Sequence, residues 1–275
     1  MLNFSGHCLV MAIVNCNGDS FYAPSRAQAQ GAVDLAMAAE EAGADIIDFG
    51  GESTRPGASY IDADEELRRV IPVIEAFRKR SRLPISVDTR KAVVARQCLE
   101  AGADIINDIS ALEDDKDMAS FCAEKNATVV LMHKKGNPQD MQDAPHYDDV
   151  FSEVTAYLLS AAERALAAGI SRESIILDPG FGFGKSGADN LCLLARLAEI
   201  RERGYPLLAG LSRKSFIGEM IGQDTNKVSD AFGRLAGTLA ANAAAIMAGA
   251  DIIRVHDVKE GADLVKVLYA VKRAG

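Results

Sequence analysis

The stretch Ala42-Gly43-Ala44-Asp45-Ile46-Ile47 occurs three times in this chain of 275 residues, with identical copies at residues 101–106 and 248–253. Each copy follows a helix-like stretch. A glycine after a helical pattern is typical of a helix C-cap, and Asp-Ile-Ile is a short apolar run of the kind that forms a buried parallel strand. The repeat therefore predicts a recurring unit of helix, turn and strand.

Polar residues follow the strand in every copy. Asp48 opens the polar segment after the first copy, Asn107 and Asp108 follow the second, and Arg254 follows the third. In a parallel α/β protein, polar residues at the carboxyl ends of the strands face the mouth of the active site. The repeat thus predicts where the chemistry takes place.

Eight short apolar segments, each followed by a polar or glycine-rich turn, are strand candidates. They cover residues 9–15, 44–50, 84–88, 103–108, 128–133, 174–178, 206–210 and 250–256. Helical periodicity between them includes the stripes Leu67 to Phe77, Phe151 to Ala165, and Leu191, Leu194 and Leu197. Eight alternations of this kind favour a (β/α)8 TIM barrel, with a doubly wound sheet as the alternative α/β fold.

Composition narrows the class of protein. The 48% of hydrophobic residues can form a full core, and without a linker we expect one domain over residues 1–275. A net charge of −9 argues against nucleic acid as a partner. No membrane span or export signal is recognised, and five cysteines without a Cys-x-x-Cys pair argue against zinc or a disulfide framework. These features predict a cytoplasmic protein.

Three strand ends carry groups able to hold a flat heterocycle. Asp88, Asn107 and Asp178 each accept or donate two hydrogen bonds, as recognition of an amide-like or guanidine-like edge requires. Any one of them could have another role; for Asp88, capping of the next helix is an equal alternative. Three at matching depth favour a binding site.

Basic residues follow the last two strands, where barrels commonly bind phosphate. Arg213 and Lys214 follow the seventh strand, and Arg254 and His256 belong to the eighth. Arg254 can fork to two oxygens and Lys214 can supply a point charge. A solvated basic turn is the alternative, but it is less favoured in a chain that is acidic overall.

The segment DPGFGFGKSG at residues 178–187 resembles two nucleotide-binding motifs without matching either. A Walker A loop requires glycine where Pro179 stands, and the G-x-G-x-x-G pattern opens no βαβ unit here. We interpret the segment as a loop whose backbone approaches a ligand, with Phe183 as an apolar wall and Lys185 reaching the anion or ring. His133, after the fifth strand, could be catalytic or structurally paired.

Successive motifs along the chain resemble those of the dihydropteroate synthase family, in order and over nearly its whole length. They are GGESTRPGA at 50–58, SVDT at 86–89, INDI at 106–109, MH at 132–133, DPGFGFGK at 178–185, SRKSFIG at 212–218 and IRVHDV at 253–258. The resemblance implies a (β/α)8 barrel that condenses 6-hydroxymethyl-7,8-dihydropterin pyrophosphate with 4-aminobenzoate in folate biosynthesis. It also implies Mg²⁺, a homodimer and a target of sulfonamides.

The resemblance also assigns roles by position. Asp88, Asn107, Asp178 and Lys214 would hold the pterin ring. The pyrophosphate and its Mg²⁺ would be bound by Asn15, Arg254 and His256, with Thr54 and Arg55 on a second loop. The 4-aminobenzoate pocket would be bordered by Ser215, Phe183 and Lys214. Lys214, Arg254, Asp88 and Asp19 are the residues expected to be catalytic.

The first loop departs from the family pattern. Residues 15–25 read NCNGDSFYAPS, where the family usually has NVTPDSFSDGG. Asn15, Asp19 and Phe21 are retained, so Asp19 could still help order the loop and the metal. The departure leaves open a pterin-binding homologue without synthase turnover. A pterin-binding methyltransferase is a second alternative, although it has no use for an anion site.

Overall fold

The computed structural model describes residues 2, 4, 6–16, 25–52, 60–136, 145–222 and 233–274, with the backbone alone for 25–28. Eight parallel strands form one sheet, in the order β6-β5-β4-β3-β2-β1-β8-β7. They are β1 (Leu9–Asn15), β2 (Ile46–Gly50), β3 (Ile85–Asp88), β4 (Ile105–Asp108), β5 (Thr128–Met132), β6 (Ile175–Asp178), β7 (Leu208–Ala209) and β8 (Ile252–Val255). A parallel bridge between Leu177 and Leu207 joins the outer strands β6 and β7. The predicted (β/α)8 barrel is confirmed.

Helices alternate with the strands around this barrel. They are α1 (Ser25–Ala42), α2 (Ala63–Arg78), α3 (Ala92–Glu100), α4 (Met118–Glu124), α5 (Val150–Ala167), α6 (Gly187–Ala195), α7 (Leu197–Arg201), α8 (Ser215–Gly222), α9 (Leu235–Met247) and α10 (Val258–Ala274). Within the described ranges, none of these helices is long and apolar enough to cross a membrane. The single domain over residues 1–275 stays a prediction.

The three copies of the repeat end their helices in the same way. Gly43, Gly102 and Gly249 have positive φ angles of 103°, 111° and 97°. The alanine after each glycine donates its N–H to a carbonyl five residues back, and all three of these hydrogen bonds measure 2.9 Å. This is the Schellman arrangement, which favours glycine at the left-handed position. The predicted helix ends are confirmed.

The aspartate of the repeat ties each new strand to its neighbour. Asp45 accepts the N–H of Val10 through Oδ2, and Asp104 accepts that of Ile85, each at 2.9 Å. Asp251 accepts the N–H of Leu207 at the same distance. Each aspartate thus satisfies a backbone donor at the amino end of the adjacent strand and helps to fix the register there.

The first isoleucine of the repeat fills the barrel. Ile46, Ile105 and Ile252 lie in one buried cluster with Ile176 of β6, and none of the four is more than 1% exposed. These residues come from the four even-numbered strands, as one layer of a TIM-barrel interior does. Because side chains two residues apart on a strand share a face, the next layer toward the carboxyl ends comprises residues 48, 107, 178 and 254.

One predicted helical stripe is wrong at Leu191, whereas Leu197 is buried and Leu194 packs against the core as expected. The helix after β6 breaks at Arg196, between α6 and α7, and Leu191 is 42% exposed. Asn190 and Leu193 are buried in its place. The polar Asn190 faces inward because it bonds the loop before α6, and that contact was not evident from the spacing of apolar residues.

Candidate active site

A layer of four polar side chains lies on top of the isoleucine layer, at the carboxyl end of the barrel. Three of its members, Asp48, Asn107 and Arg254, follow the Ile-Ile of the three repeat copies; Asp178 of β6 is the fourth. Arg254 donates from Nε to Asp48 Oδ2 at 2.7 Å, and Asn107 donates from Nδ2 to the same oxygen at 3.2 Å. The repeat therefore builds both the barrel core and the floor of the site.

Arg254 also holds Asp88, which lies at the end of β3. Its Nη2 donates to Asp88 Oδ2 at 3.0 Å. Burial raises the pKa of Asp88 above the usual value, and the guanidinium opposes that rise. Asp88 does not cap the following helix: Lys91 is at the N-cap of α3, and Asp115 accepts the N–H of Ala92 at 2.8 Å. The capping alternative for Asp88 is thus wrong, and its role in binding stays a prediction.

Asp178 presents one carboxylate oxygen to its own loop and directs the other toward Gly210. Oδ1 accepts the N–H of Gly180 at 2.7 Å, and Oδ2 lies 4.0 Å from the place that a Cβ on Gly210 would take. Burial raises the pKa of Asp178, while the Gly180 hydrogen bond and the charge of Lys214 oppose the rise. Gly210 thus adds no side chain to the space beside the second oxygen.

Lys214 extends over the same space from the turn after β7. Its Nζ lies 4.2 Å from the centre of the Phe183 ring. Burial lowers the pKa of Lys214 to about 8, Asp178 and Asp88 oppose that effect, and Arg254 adds to it. Lys214 therefore links the polar layer to an aromatic wall, as a pocket for a ring with polar edges requires.

The other predicted basic residues lie at the rim. Arg213 makes a two-pronged ion pair with Asp257, at 3.0 and 2.5 Å, so it joins the turn after β7 to the turn after β8. His256 is exposed, and its Nδ1 lies 3.0 Å from Ser212 Oγ. Ser215 is exposed at the start of α8. His256 and Ser215 are thus open to solvent.

Lys185 does not reach the anion or ring, and that interpretation is wrong. Its side chain is buried, and Nζ lies 2.9 Å from His133 Nδ1 and 2.9 Å from the Gly180 carbonyl oxygen. His133 is therefore structurally paired, as one of the two alternatives held. The direction of a long side chain in a glycine-rich loop depends on the loop path, which sequence spacing does not give.

The residues present fit a magnesium ion that is held mainly by its substrate. Within the described ranges, no group of three or more His, Cys, Asp or Glu side chains could hold a metal. Asn15 ends β1 at the exposed rim, where its side-chain amide can offer one oxygen. Mg²⁺ commonly takes one or two protein oxygens together with phosphate oxygens and water. The donor set therefore suits a metal that arrives with a pyrophosphate ester.

Three predicted site residues, Asp19, Thr54 and Arg55, lie outside the described residues.

Glu52 belongs to a set of alternating charges that the sequence did not predict, here called the rim chain. Consecutive members lie within 2.5 to 3.2 Å of each other. In order they are Glu66, Lys91, Glu52, Arg90, Asp114 and Lys134.

Asp48 was also missed as a site residue, although a signal for it existed. It occupies the same position of the repeat as Asn107 and Arg254. The repeat already predicted its position at the mouth of the site, but no role was assigned to it.

Comparison with known proteins agrees with this geometry. The family model described as pterin binding enzyme matches residues 11–256. The dihydropteroate synthase of Escherichia coli K12 is 47% identical over 269 residues, which cover 98% of this chain and 93% of that protein.

Two solved structures are similar throughout. Xanthomonas albilineans dihydropteroate synthase with 4-aminobenzoic acid gives a TM-score of 0.89 at 44% identity, covering 98% of this chain and 95% of the other. The complex of the Xanthomonas albilineans enzyme with 7,8-dihydropteroate gives 0.86 at 41% identity, with the same coverage. The chain therefore belongs to the pterin binding enzyme family and, within it, to the dihydropteroate synthases.

Proposed function

We infer that this chain condenses 6-hydroxymethyl-7,8-dihydropterin pyrophosphate with 4-aminobenzoate, forming 7,8-dihydropteroate and releasing pyrophosphate. The polar layer of Asp48, Asn107, Asp178 and Arg254 carries this inference. It places hydrogen-bonding groups of both kinds at the carboxyl ends of the strands, beside Asp88 and Lys214. Such a set suits a bicyclic ring whose edge alternates donors and acceptors.

Pterin recognition would use Asp178, Asn107, Asp88 and Lys214. Asp178 Oδ2, beside Gly210, would accept from the amino edge of the ring. Lys214 would donate to a ring acceptor from the opposite side of the pocket, since its ammonium carries donors only. Asp88, Asn107 and Asp178 lie at the carboxyl ends of strands, so this side of the ring would be held by the rigid part of the barrel, and Lys214 would reach it from the turn between β7 and α8.

Charge at the site favours loss of the pyrophosphate group. Three carboxylates, those of Asp48, Asp88 and Asp178, face the two cations Arg254 and Lys214. In their ionised forms, the Asp88 and Asp178 carboxylates would stabilise positive charge that develops on the pterin methylene as its carbon–oxygen bond breaks. The aniline nitrogen of 4-aminobenzoate is then the nucleophile, so no protein nucleophile is required.

The leaving group would be bound above this layer. Arg254 uses one N–H on Nε and one on Nη2 for the carboxylates, which leaves three by valence for phosphate oxygens. We propose that His256, Thr54 and Arg55 also bind the pyrophosphate group. Asn15 would hold Mg²⁺, which when bound neutralises part of the charge on the pyrophosphate. Asp19, on the first loop, would help to order that loop and the metal.

The second substrate would lie between Phe183, Lys214 and Ser215. Phe183 offers an apolar face beside the Lys214 ammonium, and Ser215 lies exposed at the start of α8. An aromatic carboxylate needs this combination of an apolar wall and polar groups. Sulfonamides, which resemble 4-aminobenzoate in shape, would compete for this pocket.

Pyrophosphate release tests the function directly. Purified protein with the pterin pyrophosphate and Mg²⁺ should release pyrophosphate rapidly only when 4-aminobenzoate is added, and dihydropteroate should form in equal amount. The Asp178→Asn variant should lose pterin affinity, by roughly 1–3 kcal/mol, because one oxygen that accepts becomes a donor. Pterin binding without release would indicate a homologue that has lost turnover. Binding of methyltetrahydrofolate instead would favour a methyltransferase.

We also propose that two copies associate and that the protein is cytoplasmic. The neighbouring helices α9 and α10 expose Met247 at 73% and Val267 and Val271 at 61% each, and such side chains favour a protein contact. All five cysteines are unpaired, as is usual in a reducing compartment. Sedimentation equilibrium of wild type and Val267→Glu would test the dimer, because the variant should shift toward monomer.

A further inference from the structure

The loop that joins β6 to α6, residues 179–186, runs directly against the end of β5. Gly180 and Gly184 have φ angles of +69° and +63°, in the left-handed region. A Cβ on Gly180 would overlap the carbonyl oxygen of His133, and a Cβ on Gly184 would overlap that of Lys135. Two backbone segments therefore approach as closely as glycine allows.

Lys185 Nζ occupies the gap between these segments and joins them. It lies 2.9 Å from His133 Nδ1 and 3.3 Å from the His133 carbonyl oxygen, on the β5 side. On its own loop it donates to the carbonyl oxygens of Gly180 and Phe183, at 2.9 and 3.1 Å. Its four partners are all acceptors, and the side chain is only 3% exposed.

The neutral state of His133 suits this contact. Burial and then the charge of Lys185 lower the pKa of His133 to about 3, so the imidazole is neutral. Because an ammonium only donates, Nδ1 accepts and the ring proton resides on Nε2. The ring meets Tyr157 edge-on with 5.0 Å between centroids, which fixes its plane. Burial lowers the pKa of Lys185 to about 7, and Asp178 opposes this.

The hydrogen bonds of Lys185 hold the backbone of the loop at Phe183 and before it, at Gly180. Phe183 donates its N–H to the Gly180 carbonyl at 3.1 Å and offers its own carbonyl to Lys185. Asn190 fixes the remaining backbone by accepting from the Gly182 N–H at 2.7 Å. With its backbone held on both sides, the Phe183 ring lies over Lys214 Nζ.

We propose that Lys185 is a positioning residue: by fastening the β6–α6 loop to the end of β5, it sets the Phe183 ring at the wall of the 4-aminobenzoate pocket. The proposal rests on the function proposed above, and it assigns to Lys185 no contact with either substrate. The pterin ring would be held by three strands, of which only β6 adjoins this loop at Asp178, so the effect of Lys185 falls mainly on the second substrate.

Steady-state kinetics and pterin binding test this division. Below pH 7, where Lys185 carries its proton, Lys185→Met should raise KM for 4-aminobenzoate by about tenfold or more, since small displacements of a positioning group are costly. Affinity for the pterin alcohol should fall by a clearly smaller factor, because Asp88 and Asn107 lie on other strands and only Asp178 adjoins the loop. Lys135→Met is the matched control: this lysine is in the adjoining loop, is 46% exposed, and should leave both values unchanged.

A double-mutant cycle separates positioning from general loss of structure. If Lys185 acts through Phe183, Lys185→Met should add little to the KM defect of Phe183→Ala, whereas independent effects would multiply. His133→Phe keeps the ring against Tyr157 but removes one acceptor, and should raise the same KM by a smaller factor. It also serves as the gentler variant should Lys185→Met not fold.

Hydrogen exchange gives a readout that needs no turnover. In Lys185→Met, amides of residues 180–186 should exchange at least several-fold faster while those of the even strands do not change. Equal losses in pterin and 4-aminobenzoate binding, multiplicative effects in the cycle, or unchanged exchange in this loop would each overturn the proposal. If wild type releases no pyrophosphate, the proposed function fails, but exchange still decides whether Lys185 fastens the loop.

Discussion

Arg254 Nε lies 2.7 Å from Asp48 Oδ2, although 206 residues separate them in the chain. The two residues directly follow the first and third copies of the repeat, and Asn107, which follows the second copy, donates to the same oxygen. Asp48 is fully buried, so its carboxylate meets these side chains and not solvent. The orientation of a cation and an amide in the site therefore depends on one buried oxygen.

Replacing Asp48 by Asn should impair binding of both the pterin half and the pyrophosphate half of the substrate. The amide would present a donor where Arg254 and Asn107 both donate, and a small displacement of such groups lowers kcat/KM by on the order of tenfold to hundredfold. Initial rates with varied pterin pyrophosphate would measure this.

Asp45→Asn is the control, since Asp45 lies on the same segment but bonds the Val10 N–H at the opposite end of the barrel. It should affect stability more than kcat/KM. Equal kinetic losses in the two variants would mean that Asp48 serves only the fold.

Arg254→Ala should weaken binding of the pterin pyrophosphate more than binding of the pterin alcohol. The N–H groups of Arg254 that the two carboxylates do not use are the ones expected to meet phosphate. Loss of charge-assisted hydrogen bonds, roughly 1.5–3 kcal/mol, predicts a shift of about tenfold or more in the ratio of the two affinities. Calorimetry with both ligands would give this ratio.

Arg213→Ala provides the comparison, because Arg213 is engaged with Asp257 at the rim. In Arg213→Ala, the ratio of the affinities for the pterin pyrophosphate and the pterin alcohol should stay near that of wild type. If Arg254→Ala lowered both affinities equally, Arg254 would serve the ring or the fold instead of the leaving group.

How far the sequence predicted this structure depends on the kind of feature. Strand ends and helix caps were predicted because they depend on local rules: glycine at a left-handed position, and an apolar run followed by polar residues. The Gly43 cap and the carboxyl end of β6 at Asp178 are examples.

Side-chain direction in loops was not predictable in this way. Lys185 was expected at the ligand, yet it turns back because the loop path brings two segments within reach of its Nζ. Lys91 and its acidic partners are far apart in sequence, so no spacing rule joins them. Contacts of this kind follow from the folded arrangement of several elements.

Pterin affinity should fall as the pH rises through about 8. Burial lowers the pKa of Lys214 to that value, so in the free protein its ammonium begins to lose its proton there. A pterin acceptor stabilises the protonated form, so the complex has the higher pKa and affinity drops by up to about tenfold per pH unit between the two. Calorimetry with the pterin alcohol across this range would measure the slope.

Lys214→Met controls for titration of the ligand itself. The ratio of wild-type to variant affinity should be largest below pH 8, fall as the pH rises from there, and level off near unity above the pKa of the complex. A ratio that does not vary with pH would show that Lys214 does not donate to the pterin as an ammonium.

Lys91→Met should destabilise the fold strongly. Lys91 Nζ bonds Glu66 at 2.5 Å and Glu52 at 2.6 Å, and Glu66 is fully buried. Removing the cation leaves a buried carboxylate without its partner, a loss of roughly 3–5 kcal/mol, whereas removing both charges is often close to neutral. The double variant Lys91→Met, Glu66→Gln should therefore recover much of the stability. Urea unfolding would measure each free energy.

Lys259→Met is the matched control for this loss. Lys259 pairs with Asp263 on α10, where both side chains are more than half exposed, and such pairs contribute about 0–1 kcal/mol. Its unfolding midpoint should stay close to that of wild type, with the same dependence on urea. A small effect of Lys91→Met would mean that water or a rearranged Arg90 replaces the missing ammonium. In that case the rim chain would contribute little to the stability of the barrel.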